Sequence, residues 1–277
     1  MSFKDKITKS VVKALSFEPN CAAIGGQITY SGSYTIHTFT SSGFLTVLKD
    51  IDVEVMCVGG GSGGSGPTIQ SPSHWDNWQQ SGNGGGGGTV RFHPSYSLSL
   101  FWEENVPVIV GNGGAGSAVG YYGFGTYHHS GPGQESKFGT FIASGGLPAY
   151  NGVPSHAGSN EDYASDKPGD PSGGGGSGAS GSSVSSNRDG GMGYPTNFGG
   201  VTRYYGGGAP GVYNPPAELP DNQYGNYPPQ WPNYGSGGEP GVLQGDGFGG
   251  YYPTTGFPGY SGIVIVRYIY EYKYKFF

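Results

Sequence analysis

Charge is scarce in this chain. Asp, Glu, Lys and Arg make up 12% of 277 residues, with 13 basic against 19 acidic side chains and a net charge of -6. The pI is near 5.4, and no basic patch follows Lys13, so a phosphate-binding surface and a nucleic-acid partner are not expected. Cysteine is almost absent. Cys21 and Cys57 are the only two; they can pair, although Cys57, inside the apolar run VEVMCV, reads more naturally as a small buried hydrophobe. No apolar run approaches the ~18 residues of a membrane-spanning helix, and no unbroken apolar core marks a secretory leader. An integral membrane protein is therefore not expected.

The vocabulary of catalysis is thin as well. GxGxxG strings occur because glycine is abundant, but none opens a helix within a βαβ unit, and there is no P-loop lysine. His37, His74, His93, His128, His129 and His156 lack zinc-site spacing. The acidic stretch SNEDYASDKPGDPSGG, with Glu161, Asp162, Asp166 and Asp170, does not follow the EF-hand pattern. No carboxylate pair stands out as a glycosidase would require. The expectation is no enzyme, no cofactor and no metal.

What is present is glycine, 58 of it, with 21 prolines, 22 tyrosines, 14 phenylalanines and four tryptophans. Mean hydropathy is -0.39. Glycine at this level suggests a disordered tract, but aromatics at 14% contradict that, because large rings drive collapse. Strand signals flank the glycine. From Gln27 to Val58, Thr, Tyr, Ile, Val and Phe alternate with small polar residues, broken by Ser-Gly and Lys-Asp. VPVIVGNGG from Val106 and SKFGTFIASGG from Ser136 each run directly into glycine. In GIVIVRYIYEYKYKFF, Val264, Val266, Tyr268, Tyr270, Tyr272, Tyr274 and Phe276 share one face, and Ile263, Ile265, Arg267, Ile269, Glu271, Lys273 and Lys275 the other. Its first half is apolar on both faces, which predicts a strand inside a sheet.

The order of these pieces resembles the glycine-rich domain of bacteriophage tail-fibre and other virion proteins. HTFTSSGFLTV (37–47), VEVMCVGGGSGG (53–64), VPVIVGNGGAG (106–116), SKFGTFIASGG (136–146) and SGIVIVRY (261–268) carry the resemblance. More loosely, glycine blocks alternating with unlike aromatic segments look like the tail-fibre tip adhesins of T-even-like phages. That likeness implies packed polyglycine II helices and receptor-binding loops between them. It also implies a virion protein assembled in the host cytoplasm, with a bacterial glycan or outer-membrane protein as receptor and other virion proteins as partners. Homo-oligomerisation stays open. In the polyproline II conformation, three residues make a turn and no hydrogen bond is internal, so each amide points to a neighbour. The glycine blocks at 59–66, 82–88, 111–116, 173–181, 190–193, 206–211, 235–241 and 245–250 are enough for a small stack.

Between the blocks lie aromatic segments that mix rings with Asn, Gln, Asp and Ser, a composition suited to recognition. The candidate receptor-binding residues are Trp75, Trp78, Tyr96, Trp102, Tyr121, Tyr122, Tyr127, Tyr224, Tyr227, Trp231 and Tyr234. The bland alternative is that such rings cover glycine, which has no side chain of its own. At the N-terminus, Phe3, Ile7, Val11 and Leu15 recur every four residues while Lys4, Lys6, Lys9 and Lys13 fall largely off that face. This predicts a short amphipathic helix over residues 1–20 that attaches the protein to a partner or packs on its own domain.

Residues 21–277 are thus predicted to form one all-β domain. Its β-sandwich-like framework uses strands at about 27–58, 106–116, 136–146 and 261–277, and its loop-bearing glycine-rich region covers about 59–257. The function expected is a non-enzymatic adhesin; the alternative is a structural virion subunit, of a fibre or a capsid decoration, that self-assembles through its strands and tyrosines.

Overall fold

The computed structural model describes residues 21–66, 68–70, 79–80, 84–99, 105–122, 129–148, 193–209, 234–239, 241, 243–245, 251–253 and 255–269. The predicted helix over 1–20 lies outside these residues, as does the end of the C-terminal strand beyond Ile269. Among the described residues all regular structure is strand. In chain order these are β1 (Ala23–Ile24), β2 (Gln27–Ser31), β3 (Tyr34–Phe39), β4 (Gly43–Val47), β5 (Ile51–Val58) and β6 (Thr68–Gln70). Next come β7 (Gln79–Gln80), β8 (Val90–Leu98), β9 (Asn105–Ile109), β10 (Gly120–Tyr122), β11 (Ser136–Phe138) and β12 (Phe141–Ala143). The last five are β13 (Tyr194–Thr196), β14 (Arg203–Tyr205), β15 (Leu243–Gly245), β16 (Tyr251–Pro253) and β17 (Ile263–Ile269).

Two five-stranded antiparallel sheets form a sandwich. One has the order β2-β3-β17-β5-β8, the other β1-β4-β9-β11-β12. The C-terminal strand is central, as its two apolar faces predict: β17 pairs with β3 from Val264↔Phe39 to Ile269↔Tyr34 and with β5 from Ile263↔Val58 to Arg267↔Glu54. Alternation then sorts its side chains. Val264, Val266 and Tyr268 join Val53, Val55, Cys57, Leu45, Val47, Val106, Val108 and Phe138 in the core between the sheets. Ile263 and Ile265 face the other way and meet Ile36, Met56, Val58 and Val90. That second face is covered by the β13–β14 hairpin through Phe198 and Tyr205. Arg267 clamps the cover, its guanidinium 4.4 Å from the Tyr34 ring centre and 4.1 Å from that of Phe198, with Nη2 2.6 Å from Glu54 Oε2. Turn positions Gly32 and Gly139 have φ of 58° and 55°, the left-handed region that favours glycine.

Tyr96, placed by the sequence in an aromatic segment between glycine blocks, lies instead in the second half of edge strand β8, opposite Val53, with a bulge before Val55↔His93. Pro94 fits there because an edge strand has one side without ladder bonds. The two cysteines are unpaired: Cys57 is buried in β5 and Cys21 half-buried, and burial pushes the Cys57 thiol well above its ordinary range.

Candidate functional site

The glycine runs leave the sandwich as direct continuations of its strands and pack into a backbone lattice. Residues 59–66 (GGGSGGSG) follow β5 and form its axis; every one is buried. Their amides point outward with a period of three. Gly59 and Ser62 donate to Thr89 O and Gly86 O, Gly60 and Gly63 to Gln134 O and Gly131 O, and Gly61 and Gly64 to Tyr260 O and Phe257 O. The acceptor numbers fall by three as the donor numbers rise by three, so these three neighbours run antiparallel to the axis. The carbonyls serve three other neighbours: Gly61 O and Gly64 O accept from Gly114 and Ser117, Ser62 O and Ser65 O from Gly238 and Gly241, and Gly60 O from Gly146. The first two of these runs are parallel to the axis.

The six neighbours also bond to one another and close a ring. Around the axis, Thr89 donates to Ser144 O, Gly133 to Gly146 O, Gly131 to Ala115 O, Gly259 to Gly114 O, Tyr260 to Ser236 O, and Gly88 to Gly235 O. This is the hexagonal pattern of packed polyglycine II helices, three residues per turn with all amides directed to neighbours. An eighth run, 206–209, adds outside the ring through Gly237 N–H to Gly207 O and Ala209 N–H to Gly85 O.

Close approach is what demands glycine here. A Cβ on Gly60, Gly61, Gly63 or Gly64 would lie 2.2, 1.9, 2.0 or 2.1 Å from the backbone oxygen of Asn112, Ser236, Ala115 or Glu239. The perimeter is less demanding. Along 111–118, Gly111, Gly114 and Ser117 are buried while Asn112, Ala115 and Ala118 are exposed; in GFPGYSG, Gly256, Gly259 and Gly262 turn inward and Phe257, Pro258 and Tyr260 outward. Pro132, Pro258 and Tyr260, which interrupt the glycine, therefore belong to outer helices with one side exposed. Serines serve the places where no carbonyl meets an amide. Gly86 N–H donates to Ser62 Oγ at 2.7 Å, Gly66 N–H to Ser117 Oγ and Gly111 N–H to Ser136 Oγ, both at 2.9 Å.

Hydrogen-bond register orders the molecule from end to end. Residues 59, 89, 111, 135, 144 and 262 adjoin sandwich strands, whereas 66, 84, 118, 129, 209, 241 and 255 lie at the far end of the lattice. Short strands continue beyond that far end. β10 pairs in parallel with β6 (Tyr121↔Ile69), β7 pairs with β6, and β15 pairs with β16. At the opposite end of the molecule, Ala22 N–H meets the Tyr268 hydroxyl.

The sequence candidates divide along this axis. Tyr121 and Tyr122 stand on β10, at the far end. Trp75, Trp78 and Tyr127 lie outside the described residues, in segments flanked on both sides by far-end positions. Trp102, also outside them, is flanked by Ser99 and Asn105, at the sandwich end. Tyr224, Tyr227 and Trp231 fall outside them between Ala209 and Tyr234. Two candidates belong to the framework: Tyr96 packs edge-on to Phe138 at 5.3 Å between ring centres, and Tyr234 stacks on Tyr205 at 6.4 Å, where burial pushes the Tyr205 hydroxyl up to about 12. Among the described residues no group of three His, Cys, Asp or Glu is placed to hold a metal ion, and no helix is long and apolar enough to cross a membrane.

A sandwich extended by a glycine lattice defines an all-β glycine-rich protein. The family follows from the sequence match: a family model described as a glycine-rich domain covers residues 38–269, from β3 to the end of β17, and the chain belongs to that family. A search of the curated proteins finds no match.

Proposed function

We propose that this protein is a non-enzymatic adhesin of a bacteriophage virion, carried at a tail-fibre tip and binding a bacterial surface glycan or outer-membrane protein through the segments displayed at the far end of its lattice. One observation carries the reading. The turns between 66 and 84, 118 and 129, and 241 and 255 all leave and re-enter at the end away from Cys21 and Ile269, and these turns hold Trp75, Trp78, Tyr121, Tyr122 and Tyr127. A lattice bonded through its backbone fixes the positions where these segments leave and re-enter without using their side chains, and Tyr and Trp give contact area at low entropy cost. The rival reading, a self-assembling virion subunit, draws on the tyrosine-rich C-terminal strand as an open edge. Over Val264–Arg267 that strand is paired on both sides, which supports the adhesin over an open edge there.

The test is saturable binding of the purified protein to cells of candidate host bacteria. Trp75→Ala or Trp78→Ala is expected to reduce binding at least tenfold with the fold intact, whereas Trp102→Ala leaves it unchanged. Absence of binding to any host together with ordered filaments would reject the adhesin in favour of the structural subunit.

A further inference from the structure

The two outer faces of the sandwich are both apolar, but only one is covered among the described residues. The β13–β14 hairpin covers the sheet that holds β17. On the other sheet, Ile24, Phe44 and Ile109 are 47%, 61% and 43% exposed, and Pro107 stands beside Phe44 across the β4–β9 ladder. These residues alternate with the core residues Ala23, Leu45, Val106 and Val108, so they lie on the outside of the sheet, Phe44 and Pro107 side by side, Ile24 opposite Thr46 and Ile109 opposite Lys137, an exposed apolar group of the kind that marks a contact surface.

We propose that residues 1–20 of the same chain lie across this face. The chain enters this sheet at its edge strand: Ala23 points into the core and Ile24 onto the bare face, so residue 20 ends three residues from that group. The segment has a matching apolar side, Phe3, Ile7, Val11 and Leu15 at intervals of four with Val12 beside them, the spacing of one helix face. A helix of such a length is about 30 Å long, enough to cross five strands about 4.8 Å apart. The segment carries Lys4, Lys6, Lys9 and Lys13 largely off its apolar side. A second copy would have to supply its own apolar element, whereas this one is tethered at the edge of the face.

The four lysines are also the assay. In the full-length protein, trypsin is expected to cut at Lys4, Lys6, Lys9 and Lys13 slowly, and at least tenfold faster in the double variant Phe44→Ser, Ile109→Ser, whose replaced side chains lie outside both cores. A photo-crosslinking amino acid in place of Phe44 is expected to join peptides from residues 1–20 at monomer mass, and this measurement decides the matter if the double variant fails to fold. Cleavage of the unaltered protein at the rate of the denatured chain, equal rates in protein and variant, or a cross-link to another copy or to no part of residues 1–20 would each overturn the proposal.

Discussion

Tyr268 joins the start of the described chain to its last strand: its phenolic oxygen accepts the main-chain N–H of Ala22 at 3.1 Å, and that of Ala23 at 3.3 Å. The same hydroxyl lies 3.3 Å from His37 Nε2, and His37 Nδ1 lies 2.8 Å from Gly25 O. Because a carbonyl only accepts, Nδ1 carries the proton, Nε2 accepts, and the tyrosine donates to it. Burial raises the Tyr268 hydroxyl well above its ordinary range, so it stays protonated. Tyr268→Phe removes the partner of two main-chain amides and an imidazole at once. The expected loss is about 3 kcal/mol, read as a lower urea midpoint.

Acid should loosen the same cluster. Burial lowers the pKa of His37 below its ordinary value, and the described titratable groups facing the ring are Tyr268 and, beyond it, Cys21. The unfolded chain therefore takes up a proton near pH 6.5 that the folded chain refuses. Stability from this site is complete above that pH and falls by about 1.4 kcal/mol per pH unit below it, until the folded pKa is reached. Urea unfolding at pH 7.5 and 5.0 should show a steeper loss for the natural protein than for His37→Gln.

Gly61 and Gly43 make a matched pair of alanine substitutions. A Cβ on Gly61 would lie 1.9 Å from Ser236 O, whereas one on Gly43 would meet nothing within 4 Å. Gly61→Ala must push lattice helices apart and should cost about 3 kcal/mol or more. Gly43→Ala should be neutral or stabilising by about 0.5 kcal/mol, since it restricts the unfolded chain. Equal unfolding midpoints would mean that the lattice is looser than its hydrogen bonds indicate.

Arg267→Lys keeps a positive charge opposite Glu54 but loses the flat guanidinium between Tyr34 and Phe198. Stacking and planar pairing do not transfer to an ammonium, and a loss of about 1 to 2 kcal/mol is expected. Differential scanning calorimetry of the two proteins measures it.

The framework was largely legible in the sequence. Ile263 to Val266 are apolar on both faces because both faces of β17 are covered, and alternation assigned Val264, Val266 and Tyr268 to one side correctly. The lattice was legible in part. The number and position of the glycine blocks pointed to packed polyglycine II helices, but Pro258 and Tyr260 looked like interruptions because nothing local distinguishes an outer helix from the axis. The signal was present as a period of three: Gly256, Gly259 and Gly262, with Asn112, Ala115 and Ala118 exposed in between Gly111, Gly114 and Ser117. Tyr96 was grouped by composition with the aromatic segments between glycine blocks, while the pairing of β8 with distant β5 decided its structure. Tyr234 looked the same as Trp231 in sequence; only the stacking on Tyr205 separates it.

The buried axis at 59–66 also sets how the protein responds to temperature. Unfolding a sandwich core exposes carbon, which raises the heat capacity by about 0.45 cal/K/mol per Å², whereas opening the lattice exposes peptide groups, which lower it by about 0.26. The methylenes of the lattice offset that term, so the lattice adds less heat capacity of unfolding per residue than the sandwich does. The stability curve should therefore be broader than that of a sandwich of equal length, with less of the stability lost in the cold.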